Sequence, residues 1–204
     1  MKLHWSPRSP YVRKVMVVAH ELDLVDRLEL IRSVAAMLKP NEALMRDNPL
    51  SKIPTLVLDD GRTLMDSVVI CEYLNELAKG SLFPARGDAK WQALRWQALA
   101  NGLLDAAILW RNERERDVSV RSVPLMTAFD LKVRATITLL DSEAAMLSAS
   151  PLSIGPITIA CALGYLDFRF DDLAWRGLAP ALSSCNDGWQ SRPSLLATVP
   201  DSVA

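Results

Sequence analysis

The sequence predicts an α/β domain followed by an all-α domain, and three observations support this. Residues 1–78 alternate strand and helix patterns in the order βαβ-ββα, and a hairpin signal lies at 55–65. A Gly-Ser-Leu-Phe-Pro stretch then interrupts the pattern, and we assign residues 79–85 to a linker. Residues 86–204 keep helical spacing of their apolar side chains almost throughout, which is typical of a helical bundle.

The first three elements form a βαβ unit. Leu3 and Trp5 alternate with polar neighbours, and this period of two predicts a strand. Pro10 suits the first turn of a helix, because that position needs no backbone N–H. An apolar stripe at helical spacing follows: Val12, Val15, Met16 and Ala19. Leu28 and Leu30 alternate with charged neighbours as the second strand.

The next elements form a ββα unit. Residues 34–47 suggest a short irregular helix that is broken near Pro40. Residues 55–58 and 63–65 flank an Asp-Asp-Gly-Arg turn, and Asp-Gly is a strong hairpin signal. Ser67 is predicted to cap a helix whose apolar face carries Ile70, Tyr73, Leu74 and Leu77.

The second domain is predicted to be helical from its spacing. Two long stripes indicate two helices: Trp96, Leu99, Leu103, Ala106 and Trp110, then Met126, Phe129, Val133, Ile137, Leu140 and Ala144. Residues 157–166 are apolar nearly all round, which suits a helix at the centre of a bundle. Residues 178–204 contain Asn-Asp-Gly at 186–188 and a proline at 193, so we expect a weaker, interrupted helix there.

Composition argues against several classes of partner. The 204 residues carry a net charge of -1, so no general attraction to nucleic acid or to an anionic membrane is expected. Pro7 comes too early for the apolar region of a signal peptide, and no run of about 18 apolar residues suits a membrane span. We expect a cytoplasmic protein that binds neither nucleic acid nor membrane.

The cysteines and histidines indicate no metal site. The three cysteines, Cys71, Cys161 and Cys185, are scattered and lack Cys-x-x-Cys spacing, so buried free thiols are expected. His4 and His20 are too few for a metal centre. His4 alternates outward on the first strand, and we assign it no catalytic role.

The stretch Asn-Pro-Leu-Ser-Lys-Ile-Pro at 48–54 is the most informative segment. A proline at the entrance of a strand cannot donate a ladder hydrogen bond, and an X-Pro bond adopts cis at modest cost. A cis bond between Ile53 and Pro54 would turn the backbone polar groups of Ile53 outward. Another extended peptide could then pair with them as a short antiparallel strand.

With these elements placed, the chain resembles the cytosolic glutathione S-transferase family, bacterial type, over nearly its whole length. Four segments carry the resemblance: Ser-Pro-Arg-Ser-Pro-Tyr-Val-Arg-Lys-Val at 6–15, the segment 48–54, Asp-Ser-Val-Val-Ile-Cys-Glu-Tyr-Leu at 66–74, and Leu-Ser-Ile-Gly at 152–155 leading into 160–163. Their order and spacing are specific. The resemblance implies a thioredoxin-like N-terminal domain, an all-α C-terminal domain, a homodimer and a role in detoxification.

The resemblance places a glutathione thiol at the start of the first helix. A thiol of pKa near 8.5 is only about 3% thiolate at pH 7, and lowering that pKa by ~2 units takes about 2.7 kcal/mol. Ser9 would donate a hydrogen bond to the sulfur, and the helix that begins at Pro10 points its positive end at it. Ser6 is the rival for this catalytic role and Tyr11 a weaker one. The alternative is that Ser9 merely caps the helix, and the two roles are compatible.

The same resemblance assigns the rest of glutathione. Asp66 would pair with the γ-glutamyl ammonium, and Ser67 with helix amides would hold its carboxylate. Ile53, in the loop before Pro54, would hold the cysteinyl backbone, and Lys52 is a candidate for the glycyl carboxylate. The alternative for Asp66 and Ser67 is a helix cap. Glutathione is thus expected as co-substrate, with no metal.

The acceptor electrophile is expected between the two domains. The residues proposed to line its pocket are Tyr11, Trp110, Arg111 and Arg114. Residues 111–116 also fit a solvated helix face with ion pairs three and four residues apart.

Two departures from the family pattern affect the expectations. Ser51 stands where a glycine is usual, and a side chain there is strained if φ is positive. Pro156 stands where the family has an aspartate, three residues after Ser153, so the capping pair that starts the central helix is incomplete, at a cost of about 1 kcal/mol.

Function therefore has one leading interpretation and two alternatives. The leading one is transfer of glutathione thiolate to a small electrophilic, largely apolar compound. Glutathione-dependent reduction or dehalogenation shares the thiolate step, although a reductase normally needs a cysteine at position 9. A non-catalytic glutathione-binding or assembly module of the same fold is the third.

Overall fold

The computed structural model describes residues 1–201, which form two compact units. The first comprises Met1–Ala85 together with the described residues from Pro193 on, and the second comprises Arg86–Arg192. The predicted boundaries (1–78, a linker at 79–85, and 86–204) remain a proposal about independent folding domains. No helix among residues 1–201 combines the length and apolar character needed to cross a membrane.

The first unit is built on a four-stranded sheet of order β2-β1-β3-β4. Its strands are β1 (Lys2–Trp5), β2 (Glu29–Arg32), β3 (Thr55–Val57) and β4 (Thr63–Leu64). β1 pairs in parallel with β2 and antiparallel with β3, and β3 pairs antiparallel with β4. The predicted βαβ-ββα order and the hairpin are confirmed, and the topology is thioredoxin-like.

Four helices accompany this sheet: α1 (Pro10–Glu21), α2 (Glu42–Met45), α3 (Ser67–Leu77) and α10 (Pro193–Leu196). A 3₁₀ turn at Val25–Arg27 precedes β2. α1 packs against α3 and α10, and the predicted stripe on α1 is buried, with Val12 and Val15 almost fully enclosed. α2 is much shorter than the 34–47 segment predicted, because Pro40 cannot belong to a helix interior and Asn41 caps the helix after it.

The second unit contains six helices: α4 (Gly87–Arg114), α5 (Val123–Ser142), α6 (Ala144–Ala149), α7 (Ile154–Arg169), α8 (Trp175–Leu178) and α9 (Pro180–Gln190). Two 3₁₀ turns, Val118–Val120 and Asp171–Leu173, connect them. α7 packs mainly on α4, and every residue from Ile154 to Leu166 is buried. The predicted central helix is confirmed.

The C-terminal region corrects one prediction. α9 is continuous through Asn186 and Gly188, so the expected interruption does not lie there. It lies instead after Gln190, since a separate helix, α10, begins at Pro193. Asn186 is fully buried, and its side-chain oxygen accepts a hydrogen bond of 3.2 Å from Gln190. Leu182 and Cys185 bury the same face. Packing of this face outweighs the weak helix propensity of the Asn-Asp-Gly sequence.

His4 also differs from the expectation that it points outward. It is 5% exposed, and its ring nitrogens lie 2.8 Å from Ser33 Oγ and 2.8 Å from Asp47 Oδ2. Both partners are distant in sequence. His4 thus joins β1 to the two segments that follow β2, which is a structural role.

Candidate functional site

The strand register brings three predicted segments to one edge of the sheet. His4 is paired with Thr55, so the end of β1 and the start of β3 lie side by side. Leu56 is paired with Leu64, so the end of β4 reaches the same edge. The residues that directly follow or precede these strand ends are 6–9, 48–54 and 65–67. The predicted serine, the Ile-Pro bond and the acidic cap therefore flank one edge of the first unit.

Ser9 is the N-cap of α1. Its Oγ accepts a hydrogen bond from the backbone N–H of Val12 at 3.3 Å, and the side chain is half-buried. An oxygen that accepts one hydrogen bond still has its own proton to donate. The cap and a hydrogen bond to a ligand's sulfur are therefore compatible.

The rivals for this role are placed differently. Ser6 lies in the loop before α1, where its Oγ accepts from the N–H of Arg8 at 3.4 Å. Tyr11 is the second residue of the helix, half-buried, and its ring centroid lies 6.0 Å from Lys14 Nζ. The first turn of α1 contains no acidic residue, so its positive end is not neutralised from within the helix.

The loop before β3 is held by a side chain that sequence reasoning missed. Asn48 is 1% exposed and donates to the carbonyl of Lys52 at 3.1 Å and to Thr55 Oγ1 at 2.9 Å. Thr55 Oγ1 donates in turn to the Lys52 carbonyl at 2.8 Å. The only local signal was an Asn-Pro pair, which is typical of turns. Both side chains fix the path of residues 48–55.

The Ile53–Pro54 bond at the end of this loop is cis, as predicted. Ser51 has φ +51°, so this position does take the left-handed conformation that favours glycine. Its hydroxyl accepts from the N–H of Asn41 at 2.8 Å, a bond that glycine could not make. Ile53 is half-buried and Lys52 is exposed.

Asp66, rather than Ser67, caps α3. Its Oδ1 accepts from the N–H of Val68 at 2.8 Å, and Ser67 is the first helical residue, 2% exposed. The prediction was wrong by one residue because aspartate and serine cap helices almost equally well. Asp66 is itself exposed and follows a cis Met65–Asp66 bond. Its charge is therefore open to a ligand at the sheet edge.

The four residues predicted to line an acceptor pocket lie on two elements. Tyr11 is on α1 of the first unit, and the other three are on α4 of the second. Arg114 forms a two-pronged ion pair with Asp172, at 3.2 and 3.0 Å, and stacks near Trp110 and Phe170. Arg111 Nε lies 3.4 Å from Oε1 of Glu115, which is four residues further along the same helix. Their joint role as a pocket remains a prediction.

The thiols of this chain are poorly suited to chemistry. Cys71, Cys161 and Cys185 are all free and buried. Burial raises the pKa of the Cys185 thiol, which disfavours the reactive thiolate. Among residues 1–201, no group of three or more His, Cys, Asp or Glu side chains is arranged to hold a metal ion.

Comparison with known proteins relates this geometry to a family. A family model described as the N-terminal domain of glutathione S-transferase matches residues 8–77. The Escherichia coli K12 protein described as "Uncharacterized GST-like protein YibF" is 28% identical over 203 residues, 98% of each chain.

Solved structures are more similar still. A glutathione transferase family member from Pseudomonas fluorescens Pf-5, with bound glutathione, is 42% identical over 98% of both chains, with a TM-score of 0.95. A glutathione S-transferase from Methylobacillus flagellatus KT with glutathione bound is 33% identical, with a TM-score of 0.86, over 98% of this chain and 99% of that one. The matched region includes the serine at the start of α1, the Ile-Pro loop and the Asp-Ser pair at α3, and on this basis the chain belongs to the glutathione S-transferase family.

Proposed function

We propose that this protein transfers the thiolate of glutathione to a small electrophilic, largely apolar compound. The observation that carries the proposal is that Ser9, Ile53 and Asp66 all flank one edge of the sheet. Ser9 lies there at the N-terminus of α1, whose first turn contains no acidic residue. Solved relatives that are 42% and 33% identical bind glutathione. That similarity supports glutathione as the co-substrate.

In this mechanism Ser9 Oγ donates its proton in a hydrogen bond to the glutathione sulfur. The hydrogen bond and the helix N-terminus both favour the anion, so the pKa of the thiol falls and a larger fraction is thiolate at neutral pH. The sulfur lone pair forms the new bond to carbon. In a substitution the bond from that carbon to the leaving group breaks, and the leaving group departs with its electron pair. In an addition the π bond of the acceptor breaks instead, and its electron pair moves to the neighbouring atom, which takes up a proton from solvent. Charge-assisted hydrogen bonds of this kind are roughly twice as strong as neutral ones.

The rest of the tripeptide is held by the neighbouring segments. The backbone of Ile53 pairs with the cysteinyl residue as a short strand, and Lys52 meets the glycyl carboxylate. Asp66 pairs with the γ-glutamyl ammonium, while Ser67 and the first amides of α3 meet its carboxylate. Tyr11, Trp110, Arg111 and Arg114 are proposed to surround the acceptor.

A related structure indicates which acceptors to test first. A Pseudomonas fluorescens glutathione transferase family member, 40% identical, was solved with S-(propanoic acid)-glutathione. In that compound the sulfur carries a short carboxylic acid. The panel should therefore contain an aryl halide, a peroxide and a small α,β-unsaturated acid.

The decisive experiment separates the hydroxyl of Ser9 from its role as a cap. Ser9→Ala removes the hydroxyl and the cap, whereas Ser9→Gly removes the hydroxyl at a cost of only a few tenths of a kcal/mol in helix stability. We expect both variants to lower kcat/KM about tenfold. In both, the pH at which kcat/KM increases should also be higher than in wild type, because the glutathione thiolate loses the hydrogen bond that stabilises it. Ser6→Ala is the matched control and should retain activity.

Unchanged turnover in Ser9→Gly would remove Ser9 from the mechanism. Retention on immobilised glutathione without turnover of any panel compound would instead favour the non-catalytic binding module.

Asp66 has its own test, because a change to asparagine preserves the cap and removes the charge. Asparagine and aspartate cap helices about equally well, so Asp66→Asn should unfold at the same denaturant concentration as wild type. Its dissociation constant for glutathione should rise about tenfold, which corresponds to ~1.4 kcal/mol. An unaltered constant, measured by calorimetry, would contradict the ammonium pairing.

The cellular setting is proposed on the resemblance alone. We infer that the protein acts in the cytoplasm as a homodimer and serves detoxification. Light scattering at micromolar concentration tests the dimer, with a mass of about twice the 22.6 kDa chain as the expected result.

A further inference from the structure

Two buried side chains, Asn48 and Thr55, bind the same backbone atom, the carbonyl oxygen of Lys52. Asn48 Nδ2 donates to this oxygen at 3.1 Å, and Thr55 Oγ1 donates to it at 2.8 Å. Asn48 is 1% exposed and Thr55 0% exposed. We propose that both are positioning residues for glutathione, because they orient the backbone N–H of Ile53 towards it. This inference rests on the proposed function, in which the backbone of Ile53 pairs with the cysteinyl residue.

The chemistry of these groups fixes the direction of each hydrogen bond. Asn48 Oδ1 accepts from the N–H of Leu50 at 3.0 Å, so its Nδ2 faces Lys52 and Thr55 with two protons to donate. One of them goes to Thr55 Oγ1, at 2.9 Å. Because a carbonyl oxygen only accepts, the Thr55 hydroxyl donates its own proton to Lys52. Both lone pairs of the Lys52 carbonyl are therefore occupied.

The position of this carbonyl also determines where the next N–H points. The peptide bond between Lys52 and Ile53 is trans. In a planar trans peptide group the C=O and the N–H point in opposite directions. Since the Lys52 carbonyl points towards the two buried side chains, the N–H of Ile53 points away from them. Rotation of this peptide group would break both hydrogen bonds to the carbonyl.

The backbone of Ile53 is available to a ligand. Within residues 1–201, neither its N–H nor its C=O takes part in a backbone hydrogen bond, although the residue is half-buried. Backbone polar groups that are shielded from water are nearly always paired in native proteins. In an antiparallel pair, two opposite residues exchange both N–H···O bonds. The N–H of Ile53 would therefore donate to the cysteinyl C=O of glutathione.

The test compares two small thiols that differ only at this acceptor. γ-Glutamylcysteinamide contains the cysteinyl C=O, whereas γ-glutamylcysteamine lacks that carboxamide, and neither contains the glycyl carboxylate assigned to Lys52. Calorimetry on the full wild-type chain should give a dissociation constant about tenfold higher for the cysteamine than for the cysteinamide. A general loss of stability would weaken both thiols alike, so the ratio of the two constants reports the bond from Ile53.

Three variants remove the donors to the Lys52 carbonyl while they keep the shape of the side chains. Thr55→Val and Asn48→Leu each remove one donor, and each should reduce the ratio to about three. The double variant removes both donors, which leaves the peptide group free to rotate, and its ratio should fall to about one. Thr55→Ser retains a hydroxyl and should restore a ratio of about ten.

Thr127→Val is the matched control. Thr127 Oγ1 also donates to a backbone carbonyl, that of Val123 at 3.0 Å, but it lies on α5 in the second unit. This variant should keep the wild-type ratio.

Two results would overturn the proposal: a ratio near one in wild type, or an unchanged ratio in Thr55→Val and the double variant, with circular dichroism showing that they are folded. The transferase proposal fails separately. A wild-type protein that discriminates between the two thiols, with the variants behaving as expected, but turns over no electrophile would refute turnover alone, because this test measures only binding.

Discussion

The start of α1 and the start of α7 have nearly the same ingredients and opposite outcomes. Each helix has a serine at the N-cap and a proline within its first turn. Ser9 accepts a hydrogen bond from the N–H of Val12, whereas the side chain of Ser153 makes no capping bond. One serine completes its helix, and the other leaves the first amides without a side-chain cap.

The position of the proline explains the difference. Pro10 is the first helical residue, where a missing N–H costs nothing because that amide has no intrahelical partner. Pro156 is the third helical residue of α7. The backbone N–H of the third residue is the group that normally donates to the side-chain oxygen of an N-cap serine, and proline has no such N–H. The incomplete cap that the sequence predicts is therefore confirmed, and the Ser153 side chain makes no capping bond to any other amide of α7 either.

The two helices are consequently stabilised in different ways. α1 combines a cap with a buried stripe, and its N-terminus lies near the sheet edge at which we propose that glutathione binds. α7 relies on burial, because every side chain from Ile154 to Leu166 is enclosed. In the proposed mechanism the start of α1 needs an available hydroxyl, whereas the central helix α7 only needs to pack.

The largest effect should come from disturbing that packing. A Cβ added at Gly155 would lie 2.9 Å from the Ala93 carbonyl oxygen and 2.9 Å from Trp96 Cβ, on the neighbouring α4. Backbone atoms cannot move aside cheaply, so Gly155→Ala should lower the free energy of unfolding by about 3 kcal/mol. Urea unfolding followed by circular dichroism measures it.

Gly102→Ala is the control for this change. Gly102 is exposed on α4 and its added Cβ would meet no atom within 4 Å. Alanine should stabilise the helix there by up to about 1 kcal/mol. A Gly155→Ala variant as stable as wild type would show that α7 does not depend on this close approach.

At the start of α6, the N-cap side chain binds residues of another helix and does not cap its own. Glu143 precedes α6 without capping it, and its carboxylate accepts from Arg95 at 2.7 and 2.9 Å and from Trp96 Nε1 at 2.7 Å. The hydrogen bonds from Arg95 hold the pKa of Glu143 below its ordinary value, against the opposing effect of burial. Glu143→Gln should cost about 1.5–2 kcal/mol at pH 7.

The pH dependence follows from the direction of that shift. In the unfolded state the Glu143 carboxylate takes up its proton at a higher pH than in the folded state. The contribution of Glu143 to the free energy of unfolding is therefore fully present above about pH 4.3, and it is lost as the pH falls through the lowered pKa of the folded state. Wild type should lose stability more steeply than Glu143→Gln between about pH 5 and pH 3. Parallel curves from acid titrations monitored by tryptophan fluorescence would refute the assignment.

Local pattern predicted most of the fold because most elements have a clear period. The alternation at Leu3 and Trp5, the Asp-Gly turn and the apolar stripe of α1 each correspond to an observed element. One of the wrong predictions depends on partners far away in sequence. His4 is buried because Ser33 and Asp47 meet its ring, and neither can be located from a strand pattern.

The candidate site could be predicted from the family resemblance but not from local pattern. The family resemblance supplied the roles of Ser9, Ile53 and Asp66, whereas spacing alone could not show that they share an edge. That grouping depends on the order β2-β1-β3-β4, which only the folded sheet reveals. The role of Asn48 was not predicted, because a buried asparagine that holds a loop cannot be told from an ordinary turn asparagine by sequence alone.

The smallest effects test the two serines directly. Ser9→Ala should lower the free energy of unfolding by about 1 kcal/mol, because it removes an existing cap. Ser153→Ala should change it by no more than about 0.5 kcal/mol, since the side chain makes no capping bond in the first place. Paired chemical denaturation of the two variants under identical conditions measures the difference.

Replacing the proline then makes the two helix starts alike. Pro156→Asp supplies both the missing N–H and a carboxylate three residues after Ser153, as in a capping box. In that background Ser153→Ala should cost about 1 kcal/mol, like Ser9→Ala in wild type. The coupling energy is the difference between the effect of Ser153→Ala in the Pro156→Asp background and its effect in wild type. Any packing lost with the proline ring is common to Pro156→Asp and to the double variant, so it cancels and the coupling energy reports the cap alone. A coupling near zero would mean that the proline's position is not what separates α7 from α1.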